Sequence, residues 1–271
     1  MPELPEVETV KNGLKNKVLN KKITNCKVLY KGIIAYPDTE TFIKGVSNQR
    51  INDINRRGKF LVFELDDYYL ISHLRMEGKY FIKEPKEILT KHDHVVFTLN
   101  DKEELRYNDT RKFGKMHLVK KDELNITPLS KLGLEPWDHN LTTKYLKEKL
   151  NKKKAIKTLL LDQSIIVGIG NIYADEILFL SKINPETEGC QLTTKNLQDI
   201  IDNTKKILEK AIELGGTTIH SYTSVDGITG RFQQELLVHG RKSELCPICK
   251  TNILKIVVNG RGTYYCPKCQ K

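Results

Sequence analysis

The chain has 271 residues, with 45 Lys and Arg against 34 Asp and Glu, and so carries a formal net charge of +11 at neutral pH. No apolar run approaches the ~18 to 20 residues that a membrane span needs. The proportions of hydrophobic (39%) and charged (29%) residues are ordinary for a globular protein and exclude the fibrous classes. A chain of this length buries a core without disulfides, and its positive charge favours an acidic partner.

The start of the chain predicts a reducing compartment. Residues 1–6 are acidic and contain two prolines, whereas a secretory signal needs a basic segment followed by an apolar one. In a cytosolic protein, six cysteines indicate metal ligands or free thiols before disulfides.

The charge is concentrated in two segments. Residues 144–157 and residues 240–271 each hold seven Lys or Arg and one acidic residue, a net charge of +6 each, so the rest of the chain is close to neutral. Two local basic patches are typical of a protein that binds a phosphate backbone. The alternative is a solvated surface that only maintains solubility.

The first half of the chain predicts one helix and then strands. Val7, Val10, Leu14 and Val18 recur at helical spacing, so we expect an amphipathic helix that begins close to Glu6. After it, short β-branched and aromatic runs separated by turn signals predict an antiparallel sandwich or barrel. The predicted strands are 26–30, 60–65, 69–73, 94–99, 104–107 and 116–119.

The second half predicts helices and a cysteine module. The stretch 128–140 has the composition of a linker, and Gly215 with Gly216 is typical of a helix C-cap. Residues 217–230 are polar and contain glycine, which predicts a mobile loop. The predicted helices are 141–149, 156–163, 172–180 and 197–214.

The cysteine module predicts a metal site. Its four cysteines form two CxxC pairs separated by sixteen residues, and two such turns facing each other supply four thiolates to one tetrahedral zinc. Four protein ligands leave no open position, so the zinc should be structural. Between the pairs, 253–258 and 262–265 are expected to form a hairpin; free thiols or disulfides are the alternative. The predicted ligands are Cys246, Cys249, Cys266 and Cys269. Cys26 and Cys190 lie outside this pattern and are expected to be small buried hydrophobes.

The second residue is a candidate nucleophile. If Met1 is removed, Pro2 presents a secondary amine beside Glu3 and Glu6. Terminal amines titrate near ~7.7 to 8.0 and lysine side chains near ~10.4, so a terminal amine is more often neutral and nucleophilic at physiological pH. Its attack on an aldehyde-level carbon gives an iminium. An ordinary Pro-Glu helix start is the alternative.

Three further segments carry weaker signals. The glycine-rich stretch 168–173 lacks the third glycine of a dinucleotide fingerprint; it fits a phosphate-holding turn or a simple turn between helices. Met76 and the segment 109–114 place apolar side chains beside arginines at strand ends, which fits either DNA wedges or core. His92 and His94 alternate on one predicted strand, so at most one faces a given ligand.

Taken together, these segments resemble the formamidopyrimidine-DNA glycosylase family, bacterial enzymes that excise 8-oxoguanine and ring-opened purines. The resemblance extends in order from residue 2 to residue 269. The matching segments are 2–10, 56–59, 73–76, 111–114, 168–173, 260–263 and the four cysteines.

The resemblance implies four catalytic residues. Pro2 would be the Schiff-base nucleophile that attacks C1′, and Glu3 the proton donor and acceptor at the sugar. Lys59 resembles the residue of β-elimination and Arg261 that of δ-elimination. C1′ is accessible only when the nucleotide leaves the duplex, as in other glycosylases.

The resemblance also implies DNA contacts and lesion recognition. Met76, Arg111 and Phe113 match the wedge that replaces the flipped nucleotide and meets the orphaned cytosine. The other implied DNA-binding residues are His73, His92, Lys152, Lys154, Lys157 and Asn171. The residues implied in lesion recognition are Glu6, Glu77, Thr217 and Tyr222, with the loop 217–230 covering an everted base. Two positions depart from the family pattern, Thr158 where Pro is frequent and His239 where Tyr is common.

We therefore predict an α+β multidomain enzyme. Residues 1–132 are expected to form a catalytic domain with an N-terminal helix and an antiparallel β-sandwich, 133–140 a linker, 141–230 a helix-two-turn-helix domain, and 236–271 a zinc finger with a β-hairpin. The expected function is that of a bifunctional glycosylase and AP lyase of base-excision repair, with one structural Zn²⁺.

The partner is expected to be double-stranded DNA containing oxidised purines, held in the cleft between the domains, and not a membrane. By the resemblance the protein should act as a monomer in a bacterial cytoplasm, associated with the nucleoid. One alternative is the sibling glycosylase for oxidised pyrimidines, which usually has Gly in place of Leu4; the other is a non-catalytic zinc-ribbon DNA-binding protein.

Overall fold

The computed structural model describes residues 1–217 and 230–271, and the chain divides into two compact units. The first unit comprises Met1–Ser130 with Thr217–Gly230, and the second Lys131–Gly216 with Arg231–Lys271. The boundary after Ser130 falls inside the linker-like stretch 128–140 and just ahead of the predicted linker 133–140. Among the described residues, no helix has the length and apolar character to cross a membrane.

The first unit is a helix followed by two sheets. One sheet has the strand order β1-β7-β8-β6 and the other β2-β9-β5-β4-β3; every pair is antiparallel except β2 with β9, which is parallel. The elements are α1 (Leu4–Val18), β1 (Ile23–Val28), β2 (Ile34–Tyr36), α2 (Thr39–Val46), β3 (Asp53–Arg57), β4 (Phe60–Glu64), β5 (Tyr68–His73), β6 (Lys79–Lys83), β7 (Asp93–Leu99), β8 (Glu104–Asn108) and β9 (Lys115–Lys120).

A shared apolar core joins these elements. Phe63 and Leu118 of the five-stranded sheet lie in the same buried cluster as Phe97 and Leu105 of the four-stranded sheet. The apolar stripe of α1 enters this cluster, since its four predicted core residues are at most 1% exposed. The predicted sandwich and N-terminal helix are therefore confirmed.

Four elements of the first unit were absent from the sequence prediction: β2, α2, β3 and β6. Strand β3 reads Asp-Ile-Asn-Arg-Arg and buries only Ile54, so it lacks a period-two apolar pattern. Helix α2 is eight residues long and is capped by Asp38, whose side chain accepts hydrogen bonds from the amides of Glu40 and Thr41, both at 3.0 Å. Strand β6 was also missed.

The second unit contains four helices and a hairpin. They are α3 (Thr143–Leu150), α4 (Ile156–Leu160), α5 (Asn171–Leu180), α6 (Thr194–Glu213), β10 (Leu254–Val258) and β11 (Arg261–Tyr265). Gly215 and Gly216 follow α6 with φ of 74° and 77°, as expected of a C-cap. The predicted helices are confirmed, although α4 ends at Leu160 and not at residue 163.

Helix α5 anchors the cysteine module within the second unit. Phe179 packs with Val238 and two of the cysteines. One turn earlier, the buried carboxylate of Glu176 accepts hydrogen bonds from the amides of Leu237 (2.8 Å), Val238 (3.0 Å) and His239 (2.8 Å). The segment that leads into the module is thereby fixed to the helix by both apolar and polar contacts.

Candidate active site and metal centre

The first turn of α1 is closed by a capping box. Pro2 and Glu3 are buried, and the amide of Glu3 donates to the carboxylate of Glu6 at 2.8 Å, while the Glu3 side chain accepts from the Glu6 backbone. Such a box satisfies amides that have no partner within the helix. The backbone of the predicted nucleophile is therefore held at a defined, buried position.

Glu6 also binds Thr217. Its other carboxylate oxygen accepts from the amide of Thr217 at 2.7 Å and from the Thr217 hydroxyl at 3.1 Å. The structure thus brings together two of the residues predicted to recognise the lesion. Glu77 lies half-buried on the turn after β5, and Tyr222 lies outside the described residues.

An ion pair joins α1 to the turn that carries Lys59. Arg56 donates to the carboxylate of Glu8 at 2.7 Å and to the carbonyl of Gly58 at 3.0 Å. Burial opposes the ionisation of Glu8, but hydrogen bonds from Lys11 and Arg56 outweigh it and lower the pKa of this carboxyl. Gly58 has a φ of 56°, and Lys59 follows with only 6% of its surface exposed. The helix start and the Lys59 turn are therefore coupled.

His73 stands beside the same turn, at the end of β5. It is paired across the sheet with Phe60, and the two rings meet edge to face with centroids 4.5 Å apart. Its Nδ1 accepts a hydrogen bond from the amide of Arg75 at 3.0 Å. Burial, with the nearby charges of Arg75 and Lys59, lowers the pKa of His73 to about 3. The ring is neutral at physiological pH, with the proton on Nε2.

The predicted wedge residues are exposed on two turns of the first unit. Met76 is 37% exposed and Phe113 is 49% exposed. The guanidinium of Arg111 stacks over the ring of Phe113 at 4.7 Å from the centroid. His92, a predicted phosphate contact, is half-buried at the entrance to β7. The two wedge turns therefore present apolar and planar surfaces to the outside of the unit.

Lys157 is not a surface residue, contrary to the prediction of a phosphate contact. Its side chain is fully buried, and its Nζ donates to Asp175 at 2.7 Å, to the Thr263 hydroxyl at 2.8 Å and to the carbonyl of Gly262 at 3.1 Å. The second oxygen of Asp175 lies 2.7 Å from Nδ1 of His239. Lys157 therefore connects α4, α5 and the β10–β11 hairpin.

The other predicted residues of the second unit lie at or near its surface. Lys152 and Lys154 are exposed on the turn before α4, and Arg261 is exposed at the start of β11. Asn171 opens α5, and its amide nitrogen donates to the carbonyl of Gly262 at 3.0 Å. The backbone next to Arg261 is thus held by both Asn171 and Lys157. Phosphate contacts by these residues remain a prediction.

Four cysteines form the metal centre. Their sulfur atoms all lie within 4.8 Å of one another, with Cys246 and Cys269 at 3.9 Å and Cys249 and Cys266 at 3.4 Å. A tetrahedral zinc with Zn–S bonds of ~2.3 Å requires sulfur pairs ~3.8 Å apart, so the cluster fits this ion. The predicted single structural zinc is confirmed.

The two remaining cysteines are separate from this centre. Cys26 lies in the core of the first unit, where burial raises the pKa of its thiol to about 12, and the prediction of a small buried hydrophobe is confirmed. Cys190 is only half-buried.

Comparison with known families places all three regions of the chain. Residues 1–116 match the formamidopyrimidine-DNA glycosylase N-terminal domain, and residues 132–223 match the H2TH domain of the same enzyme. Residues 243–271 match a zinc finger found in FPG and IleRS. These matches define a DNA glycosylase architecture with a helix-two-turn-helix domain and a zinc finger.

Full-length relatives agree with this. The chain is 49% identical over 273 residues to the formamidopyrimidine-DNA glycosylase of Shouchella clausii and 48% identical to that of Bacillus subtilis, covering 100% of this chain and 99% of each relative. The chain belongs to the formamidopyrimidine-DNA glycosylase family.

Solved structures show the same fold. A point mutant of Lactococcus lactis FPG in complex with DNA containing Fapy-dG has a TM-score of 0.94 and 42% identity, with 100% of both chains covered. The Lactococcus lactis Fpg in complex with DNA containing an abasic site has a TM-score of 0.93 at the same identity, with 99% of both chains covered.

Sequence reasoning missed several residues that support the site. The partners Glu8 and Arg56 are 48 positions apart, and Lys157 and Asp175 are 18 positions apart, so no local pattern connects them. Asp109 was noted only as part of a motif. Its signal was an Asp followed by a short glycine-containing turn, in which a carboxylate commonly accepts hydrogen bonds from the next amides.

The zinc centre yields the first prediction. Replacement of Cys249 by Ser should reduce bound zinc from one per chain to a substoichiometric amount and weaken binding to duplex DNA, since the hairpin and its flanking turns lose their common anchor. Metal analysis and fluorescence anisotropy measure the two effects. Cys190→Ser, outside the cluster, is the matched control and should keep one zinc. A Cys249→Ser protein with full zinc content would show that the site is wrongly assigned.

His73 yields a prediction on the pH dependence of stability. Its pKa is about 3 in the folded protein, below the ordinary value of 6.5, so the unfolded chain binds the proton first as the pH falls. The contribution of His73 is thus complete above pH ~6.5 and is lost towards pH ~3, at up to ~1.4 kcal/mol per pH unit.

We expect His73→Gln to flatten the fall in unfolding free energy between pH 6.5 and pH 5, measured by urea denaturation. Gln can still accept the Arg75 amide but does not titrate. His139→Gln, at a side chain that is 91% exposed, should leave the slope unchanged. Equal slopes in the wild type and His73→Gln would contradict the assignment.

Proposed function

We propose that the protein is a DNA glycosylase of base-excision repair that removes oxidised purines, both formamidopyrimidines and 8-oxoguanine, from double-stranded DNA and then cleaves the strand as an AP lyase. The observation that carries the proposal is the buried start of α1, where Pro2 directly precedes the capping box of Glu3 and Glu6, and where Glu8 binds Arg56 of the Lys59 turn. The damaged DNA in complexes of the relatives supports the choice of substrate.

Pro2 would act as the nucleophile once Met1 has been removed. Its secondary amine attacks C1′ of the damaged nucleotide, the glycosidic bond breaks, and the base leaves with the bonding electrons and is protonated by solvent. The amine then loses its proton, and Glu3 donates a proton to the sugar ring oxygen as the bond from C1′ to that oxygen breaks, which gives an iminium between Pro2 and C1′. A buried carboxyl group next to the amine suits this role, because after it has donated its proton it can accept one in a later step.

Strand cleavage would follow from the iminium. Its positive charge acidifies the C2′ proton, and removal of that proton expels the 3′ phosphate in β-elimination, the step assigned to Lys59. A second elimination expels the 5′ phosphate, the step assigned to Arg261. Lys59 belongs to the first unit and Arg261 to the second.

Access to C1′ requires that the nucleotide leave the base stack. We assign the replacement of the lost stacking to Met76, Arg111 and Phe113, whose exposed apolar and planar surfaces suit it. The lesion would be recognised with Glu6, Glu77, Thr217 and Tyr222. A neutral His73 with a proton on Nε2 is a hydrogen-bond donor suited to a phosphate or sugar oxygen.

The DNA phosphates would be bound by His73, His92, Arg111, Asn171 and the exposed lysines Lys152 and Lys154. Binding through phosphate contacts weakens as salt rises. The zinc contributes to this binding only by holding the hairpin. We further propose that the protein acts as a monomer and is cytoplasmic and associated with the nucleoid; the relatives compared above are bacterial enzymes.

Borohydride trapping tests the proposed chemistry. Protein lacking Met1, incubated with a duplex carrying 8-oxoguanine opposite cytosine and sodium borohydride, should form a covalent protein–DNA adduct, because the hydride reduces the iminium. Pro2→Gly should lose the adduct. Pro5→Ala, at a proline three positions further along the chain in the first turn of α1, is the matched control and should retain it. Absence of any adduct with the processed wild type would refute the mechanism.

A further inference from the structure

The loop 109–114 is folded around one buried carboxylate. Asp109 is fully buried. One of its oxygens accepts from the amide of Arg111 at 2.9 Å, and the other accepts from the amides of Phe113 at 2.9 Å and Gly114 at 2.8 Å. Lys112, between them, takes a left-handed conformation with a φ of 59°. Three hydrogen bonds to one charged group therefore set the backbone on both sides of this residue.

A tyrosine joins this loop to the turn that carries Met76. The hydroxyl of the fully buried Tyr107 lies 3.4 Å from Oδ2 of Asp109, the oxygen that also accepts from the amides of Phe113 and Gly114. A Cβ built on Gly114 would lie 1.6 Å from that hydroxyl oxygen, and one built on Gly78 would lie 2.3 Å from it. Gly78 closes the Met76 turn, since its amide donates to the carbonyl of Leu74 at 3.0 Å. Both turns thus contact one hydroxyl, with no space for a side chain.

The backbone of Asp109 fixes a third segment. Its amide donates to the carbonyl of His92 at 3.0 Å, and its carbonyl lies 2.7 Å from Nε2 of the buried His94. The predicted phosphate contact His92 is therefore connected to the same residue as the loop. Asp109 is the common attachment point of all three segments.

The side chains on these segments are exposed, whereas the backbone that carries them is fixed. Met76 and Phe113 are more than one-third exposed, and Arg111 covers part of the Phe113 ring. Exposed apolar side chains contribute little to the stability of the fold, so a rigid backbone beneath them is not needed for folding. A rigid backbone is needed instead by side chains that must keep their position in the duplex while the displaced base tends to restack.

We propose that Asp109 is a positioning residue that makes Met76, Arg111 and Phe113 act as one rigid wedge, with Tyr107 as the spacer between the two turns. The proposal rests on the proposed function. It assigns no chemical step to Asp109, which acts through the placement of the three side chains.

The test compares two substrates in Asp109→Asn. This change keeps the size of the side chain but sets an NH₂ group against amides that need an acceptor. We expect the single-turnover rate of 8-oxoguanine excision from duplex DNA to fall about 10- to 100-fold, the range typical of a misplaced positioning group. Borohydride trapping on a single-stranded abasic oligonucleotide should be unchanged, because no base stack has to be displaced there. Asp122→Asn, at an exposed position, is the matched control for duplex excision.

A double-mutant cycle tests whether Asp109 acts through the wedge. If it does, Asp109→Asn combined with Phe113→Ala should lose less activity than the product of the two single losses. Tyr107→Phe removes only the hydroxyl. It should also slow excision from duplex DNA, by a smaller factor, and leave trapping on the single-stranded substrate unchanged. This variant tests the proposal if Asp109→Asn does not fold.

Three results would overturn the proposal. The first is a loss in the double variant equal to the product of the two single losses. The second is an equal loss on duplex and single-stranded substrates in both Asp109→Asn and Tyr107→Phe, and the third is excision at the wild-type rate by both of these variants. Failure of the proposed function would look different, because the wild type itself would then give no adduct with the single-stranded abasic substrate.

Discussion

The start of helix α1 is the constraint on which the proposed chemistry depends. Chain ends usually fray, and an amine at a frayed end would have no defined position. Here the four core residues of α1 are buried in the sandwich, and each such side chain contributes roughly 1.5–3 kcal/mol. The capping box and the contact from Glu6 to Thr217 then fix the backbone at the start of the helix. The hydrophobic burial of α1 therefore also fixes the position of the proposed nucleophile.

The second unit achieves its positions in another way. Its hairpin is small and is held by the zinc cluster and the Lys157–Asp175 pair, while the Glu176 carboxylate holds the segment that leads into the cysteine module. A buried ion pair recovers its desolvation cost only when its remaining hydrogen bonds are satisfied, and Thr263, Gly262 and His239 satisfy them here. A buried ion pair of this kind contributes little net stability but defines one geometry. This suits a hairpin whose proposed role is to present Arg261.

Local patterns allowed most of the fold and the metal centre to be predicted. The helical spacing of α1, the two CxxC pairs and the glycine C-cap after α6 each depend on residues close together in sequence. The prediction failed where contacts with residues distant in sequence determine the local structure. Strand β3 is polar and is recognisable only next to β4, and Lys157 was counted within a basic run although Asp175, eighteen positions away, neutralises it. The catalytic roles came from the family resemblance, since composition alone favours an ordinary helix start at Pro2.

The central claim is that the amine of Pro2, and no lysine, forms the bond to C1′. Peptide mapping of the borohydride-reduced adduct by tandem mass spectrometry tests it most directly. We expect the deoxyribose remnant on the proline nitrogen of the tryptic peptide 2–11, with Met1 absent. An adduct on the peptide that contains Lys59, or on any other lysine, would contradict it.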